Sequence, residues 1–428
     1  MSISSLERNI KLSLSPEDTI GFEGNHGIGK SSFVKINMRR CIAEQNKVPI
    51  ERVHVITRCA SQIDPADMIG EVKSFKGRTH SCPPSWIPTG KEYDDQMLKL
   101  LGEDGYQPLT IYDDYYILFI DEWKRGNPLI HNALMELTLD HTIFGVPLHD
   151  KCYVAVADNE NTDIYNGNAN IDPAQMDRVE NYAYDPTDDE ILDIFKKKVD
   201  AGIMHPVVLE YLMTYKEHII IPTETIRDCA IKGQKTASPR AWEKLGKKLM
   251  RAANNGFDYV EESEKSAEIN AELSAIANAI LGVHGAPFVT FCNDRKGLSI
   301  DIELVIYNKG TAAEVRAAEQ ELKKLEDAKK LSIPVIAYNA SRLVSKKGLK
   351  KPQYGANLLA LLQCLPNEGV AAFYSDWKHN NESEAISWMS YSGARMNVIY
   401  KTLGGYKKWR DSAIARGINI ESDAPIGG

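Results

Sequence analysis

Short apolar runs separated by helical stripes mark the first 160 residues. Thr19-Ile-Gly-Phe-Glu23, Arg52-Val-His-Val-Ile-Thr57, Tyr115-Tyr-Ile-Leu-Phe-Ile120 and Cys152-Tyr-Val-Ala-Val-Ala157 are near-continuous in apolar residues, as strands buried on both faces must be. Between the first two, Ser31 to about Glu44 places Phe33, Val34 and Ile36 as the packing residues of a helix. The pattern predicts an α/β core, a parallel sheet covered by helices. From Pro186 the period becomes helical throughout, over Asp188–Ala201, Pro206–Glu217, Thr223–Lys232, Pro239–Asn254 and Glu261–Leu281. Thr187 before three acidic residues and Ser238 before Pro239 supply start signals. Beyond that, Ser299–Tyr307 alternates like a strand, Thr311–Lys330 reads as a charged helix and Ile333–Tyr338 as another strand. Three domains result: an α/β core over 1–185, an all-helical module over 186–295, and a mixed α+β extension over 296–428 with no recognised family.

Composition narrows the class. With 428 residues, 43 % apolar and 26 % charged, the chain is neither disordered nor fibrous and is long enough for two or three domains. Seven cysteines without a CxxC pair speak against a disulfide framework or a zinc site. The start lacks a signal-peptide pattern and no run of about 18 apolar residues occurs, so the expectation is a cytoplasmic protein without a membrane segment. The net charge of −8 argues against nucleic-acid binding over the whole surface. It is unevenly spread: residues 1–185 carry −10, 186–340 carry −3 and 341–428 carry +5.

The chemistry begins at Gly24-Asn25-His26-Gly27-Ile28-Gly29-Lys30-Ser31-Ser32, a GxxxxGK[ST] loop between a strand and a helix. Its glycines allow backbone N–H groups to curl around phosphate oxygens, Lys30 would reach the β and γ phosphates of ATP, and Ser31 would ligate Mg²⁺. Asp121 closes the third apolar strand and is placed to share that metal. Glu122 follows it, positioned to orient and deprotonate a water. His26 reads as a variable loop residue, and Arg125 as either a contact to a neighbouring subunit or phosphate or a structural ion pair.

Further segments follow in order: Asp64-Pro-Ala-Asp-Met-Ile-Gly70, Pro83-Pro-Ser-Trp-Ile-Pro88, Phe119-Ile-Asp-Glu-Trp-Lys-Arg125 leading to Asn132-Ala-Leu-Met-Glu-Leu137, Val156-Ala-Asp-Asn159, Asp172-Pro-Ala-Gln-Met-Asp-Arg178 and Ala237-Ser-Pro-Arg240. Over roughly residues 15–295 the chain resembles the MoxR branch of the AAA+ ATPases. The resemblance implies an AAA+ P-loop core with a helical lid. It makes Asn159 the first sensor, with Asn161 as a substitute in a string more acidic than the family's. It makes Arg178 an arginine finger reaching a neighbouring subunit and Arg240 the second sensor. It also implies a ring, typically of six subunits, a partner bearing a von Willebrand factor A domain, and two pore-side devices, an insert at Glu71–Gly90 and a hairpin at Asp140–Leu148.

Two functions remain open. One is ATP-driven, chaperone-like remodelling of another protein. The other is a nucleic-acid motor or loader using the C-terminal cations and aromatics, from Lys346, Lys347, Lys350 and Lys351 through Trp377, Trp388 and Tyr391 to Trp409 and Arg410. A nucleotide-gated scaffold without turnover would not need Glu122.

Overall fold

The structure is a computed structural model that describes residues 1–125, 128–159, 177–263, 265–294, 301–308, 310–327, 333–365, 367–383 and 385. The chain divides into two compact units. The first comprises Met1–Ala201, Glu217–Lys247 and Ala279–His284; the second comprises Gly202–Lys216, Lys248–Asn278 and Gly285–Gly428.

In the first unit the strands are β1 (Thr19–Glu23), β2 (Val53–Cys59), β3 (Glu71–Phe75), β4 (Arg78–Cys82), β5 (Tyr115–Asp121), β6 (Thr142–Ile143), β7 (Val146–Pro147), β8 (Cys152–Asp158) and β9 (Glu180–Ala183). Five of them form one sheet in the order β2-β5-β8-β1-β9, every pairing parallel. Its two faces divide the apolar residues of the central strands by parity. Ile117, Phe119, Tyr153, Ala155 and Ala157 pack with Phe22, Phe33 and the N-terminal helix Ile3–Ser13. Tyr116, Leu118, Ile120, Cys152, Val154 and Val156 pack on the other side with Leu134 and Leu137 of the helix Pro128–Asp140. Burial on both faces explains why β5 and β8 read as unbroken apolar runs.

The helix after β1 begins at Lys30, passes through a π-helical stretch at Phe33–Met38 and continues to Gln45. It leaves Ile36 63 % exposed, not packed as the sequence suggested, because the wider π turn brings Phe33, Val34 and Met38 inward instead. Thr187 caps the helix Asp188–Asp200, accepting from the Glu190 N–H while Glu190 accepts from the Thr187 N–H. The same Glu190 carboxylate takes the N–H groups of Ile3 and Ser4, fixing the N-terminal helix.

Two antiparallel hairpins stand apart from the sheet. β3 and β4 pair between the short helix Pro65–Ile69 and the helix Lys91–Leu101, inside the segment read as an insert. β6 and β7 pair just before β8, where a small hairpin was expected. Their turns use left-handed residues, Lys76-Gly77 and Phe144-Gly145, as two-residue turns that match strand twist require.

The second unit is helical in its described residues. Tyr211 of the helix Pro206–Thr214 meets Phe288 and Phe291 edge-on, with ring centroids 5.5 and 5.4 Å away. His205 bonds Asp258 at 3.1 Å. The helical stretch Ala267–Asn293 is, by length and composition, long and apolar enough to cross a membrane. Within it Leu273, Ala277, Phe288 and Cys292 are buried in the fold.

The extension corrects the sequence reading. Ile302–Tyr307 and Ile333–Lys347 are helices, not strands, so the mixed α+β expectation gives way to helices alone among the described residues. Ile302, Val305 and Ile306 are buried together, an i, i+3, i+4 set that in six residues also passes for alternation. The deciding signal was Asp301, whose carboxylate caps the helix by accepting from the Leu304 N–H. Ile336, Ala337, Ala340 and Val344 form the corresponding helical stripe against Leu358, Leu361, Phe373 and Trp377. Trp377 is fully buried, Lys347 is paired with Glu303 and lies over the Tyr307 ring, and Lys351 lies over Tyr354. Those members of the cation and aromatic series therefore serve the core and local pairs. Residues Trp388 to Arg410 lie outside the described residues.

Candidate functional site

Every group of the proposed site that the sheet positions stands at the carboxyl ends of its strands. Gly24–Gly29 follows β1, and Gly27 and Gly29 take φ of 75° and 105°, which L side chains rarely adopt. A Cβ on Gly27 would lie 2.6 Å from Ser238 Oγ, and one on Gly24 2.5 Å from the Tyr184 carbonyl. The loop is thus closed from two sides and held open by its missing side chains. The buried Lys30 donates from Nζ to the carbonyls of Gly24 (2.6 Å) and Asn25 (2.9 Å) and to Asn159 Oδ1 (3.1 Å). Asn159 comes from the end of β8, so the amine of the β1 loop and the amide of the β8 tip form one cluster.

Ser31 Oγ donates to Asp121 Oδ2 at 2.6 Å. That brings together the hydroxyl and carboxylate that a P-loop offers to a divalent cation carried by a triphosphate. Among the described residues no cluster of three or more His, Cys, Asp and Glu could hold a metal alone. Two oxygens beside a phosphate loop fit Mg²⁺, which keeps most of its ligands from phosphate and water.

Glu122 adopts φ 52°, an unfavourable conformation for a residue with a Cβ. Its Oε2 accepts from Ser61 Oγ at 3.1 Å and Cys59 Sγ at 3.6 Å, and its Oε1 from Arg125 Nη1 at 3.4 Å. Arg125 is therefore a local ion-pair partner of Glu122. Burial raises the Cys59 thiol pKa, so the neutral donor is favoured. Beneath these groups Asp158 accepts from the N–H groups of Lys124 (2.5 Å) and Asn159 (2.7 Å), and burial raises its pKa. The Lys124 ammonium, also buried, bonds Glu23 at 2.8 Å. Sequence reasoning did not single out Ser61, Cys59, Lys124 or Asp158 as site supports. Their partners lie far along the chain, and only the Asp158-Asn159 string hinted at a polar strand end.

Arg240 opens the helix Pro239–Asn254, and its N–H donates to the Gly27 carbonyl at 3.1 Å, placing this segment directly over the phosphate loop. Asn25 Nδ2 donates to Thr223 Oγ1 at 3.0 Å. Desolvation, then the charges of Arg240, Lys30 and Lys235, lower the His26 pKa, so a neutral imidazole sits among these cations. Arg178 is half-buried in the turn leading into β9, and among the described residues no hydrogen bond or ion pair ties it to the Lys30 cluster. Asn161 lies outside the described residues.

The segment carrying Arg240 is anchored by His284, whose Nδ1 accepts from the Ala237 N–H at 3.3 Å. The Val283 N–H donates to the Lys235 carbonyl, and Trp242 Nε1 to the His218 carbonyl at 2.8 Å. Burial, then the adjacent His218, push the His284 pKa down to about 4. The unfolded chain takes up this proton near pH 6.5, before the folded one does, so stability is full above that value and is lost as pH falls toward 4. A loss of about 1 kcal/mol between pH 7 and pH 5 is expected after allowing for partial solvation. Urea midpoints at the two pH values check it. His284→Asn, which keeps an acceptor but does not titrate, should flatten the difference, and an equal drop in both proteins would refute it.

The phosphate loop lies between β1 and its helix, and the acidic pair closes β5, the next strand but one, in a five-stranded parallel sheet with helices on both faces. No protein-family model matches the chain, and no curated protein matches it. Among solved structures it is similar to the Thermotoga maritima RuvB Holliday junction branch migration motor (11 % identity, 82 % of this chain and 88 % of that chain, TM-score 0.25). Two point mutants of RuvB from that organism are also similar. One has 11 % identity, with 95 % of this chain and 93 % of that chain covered and a TM-score of 0.24. The other has 12 % identity, with 94 % and 93 % covered and a TM-score of 0.24. Superpositions this loose say nothing about what the chain acts on.

Proposed function

We propose that the protein is an ATP-hydrolysing AAA+ ring ATPase of the MoxR type that uses turnover to remodel another protein. The observation carrying this reading is the junction of Lys30, Asn159, the Ser31–Asp121 pair and Glu122 at the ends of β1, β8 and β5. Bound ATP with Mg²⁺ supplies an activated phosphoryl group. Lys30 would leave its carbonyl acceptors for the phosphates, and Ser31 and Asp121 would hold the cation. Asn159 would fix Lys30 and the attacking water. Glu122, once released by Ser61 and Arg125, would orient and deprotonate that water. Arg240 would clamp the nucleotide from its own subunit and Arg178 would reach a neighbour's.

Two supports favour the MoxR branch: the hairpin inserted between the helices Pro65–Ile69 and Lys91–Leu101, and the second hairpin immediately before β8. The six-membered ring and a von Willebrand factor A partner rest on the sequence resemblance alone. Lys30→Ala should abolish ATP binding at micromolar nucleotide and lower phosphate release by at least about 100-fold. Unchanged release would sink the assignment.

A further inference from the structure

The β3–β4 hairpin carries a charge pattern that the ATPase site does not use. Its register pairs Lys73 with His80 and Phe75 with Arg78, while Val72 faces Ser81 and Ser74 faces Thr79. Directly paired residues share a face, so one face collects Glu71, Lys73, Phe75, Arg78, His80 and Cys82, with Glu71 and Cys82 at the base, and the other holds only uncharged residues. Lys76, in the turn, lays its ammonium 5.2 Å from the Phe75 ring centroid. Three cations stand against one carboxylate, Glu71, on a segment of a core that carries −10.

The base of the hairpin is tied down. Lys73 donates to the Gly105 carbonyl at 2.7 Å and lies 3.5 Å from Glu71, and the Tyr93 hydroxyl donates to the Ser81 carbonyl. The tip is not. Lys76 and Arg78 are exposed, and a Cβ built on Gly77 meets nothing within 4 Å.

We infer that this face is a contact surface for single-stranded nucleic acid, with Phe75 as a stacking platform and Lys76, Arg78 and His80 reaching phosphates. Cations alone would serve an acidic peptide equally well. The aromatic ring on the same face, flanked by two cations, favours a strand whose bases can stack while its backbone is neutralised. The inference rests on reading the chain as an ATP-driven machine and names a polymer that such a machine would handle. It moves nucleic-acid contact from the C-terminal segment to the core.

Fluorescence anisotropy with a labelled mixed-sequence 30-nucleotide DNA strand and the full chain, between 50 and 200 mM salt, tests it. Lys76→Glu with Arg78→Glu should weaken binding at least tenfold. Replacing both by Ala should make the slope of log affinity against log salt shallower by about 1.4, for two lost phosphates. Phe75→Ala should weaken binding and leave that slope unchanged. No binding by the unaltered chain at 50 mM salt, or equal binding by all variants, would overturn the inference. So would hairpin-dependent capture of labelled polyglutamate in place of the strand, which assigns the face to an acidic protein. Basal ATP hydrolysis without DNA is measured on the same preparations. It should be unchanged in the hairpin variants, confirming that they fold, and its absence in the unaltered chain would sink the ATPase reading while leaving the binding result to judge the hairpin.

Discussion

Glu122→Gln should bind ATP as tightly as the unaltered protein and hydrolyse it at least about 100-fold more slowly, the usual worth of a positioned general base. Glutamine preserves the length and one of the two acceptor oxygens, of which Oε2 takes the Ser61 hydroxyl and Oε1 the Arg125 guanidinium, but it cannot take a proton from water. Lys30, Ser31 and Asp121 are untouched, so nucleotide and cation affinity should hold. Single-turnover phosphate release and nucleotide titration, run side by side, make the comparison. Equal turnover would end the proposal that Glu122 is the base, and lost binding would assign it a structural task. The variant should also stall the ring on whatever it remodels, so affinity capture in the presence of ATP would bring down the substrate.

The second large effect concerns Arg178. Arg178→Ala should lower turnover by about 10³, as loss of an arginine finger does, with ATP affinity nearly unchanged. Mixing makes the test specific. A subunit lacking Arg178 retains Glu122, and a Glu122→Gln subunit retains Arg178. In rings assembled at random from equal amounts, about one interface in four pairs an intact Glu122 with an intact neighbouring Arg178. Recovery toward a quarter of the normal rate, from two nearly inactive proteins, is the expected result. No recovery would place Arg178 in its own subunit's site or in the fold.

Much of this was legible in the chain, for physical reasons that also explain the gaps. β1, β2, β5 and β8 were read from their apolar runs, because central parallel strands are buried on both faces. β9 was not, since Glu180-Asn-Tyr-Ala pairs only with β1 and is half exposed. The Gly24–Ser32 loop and the Asp121-Glu122 pair are local patterns, readable without any partner from elsewhere in the chain. The groups that restrain Glu122 were not, because Ser61 lies 61 residues away in the chain. Nor was the Lys124–Glu23 pair, separated by 101 residues. Ile302–Tyr307 was misread because six residues satisfy two periods at once. The sorting of cations on the β3–β4 hairpin needs the strand register, which no count of charges contains.

The left-handed backbone at Glu122 has a consequence for anyone engineering this chain. A Cβ in that conformation costs on the order of 1 kcal/mol, so glycine would relieve the fold at the one position where the carboxylate is wanted. A search that ranks substitutions by thermal tolerance would therefore be drawn to position 122 and would return hardier proteins without the proposed base. Selection for work, not for durability, is what would keep a glutamate there.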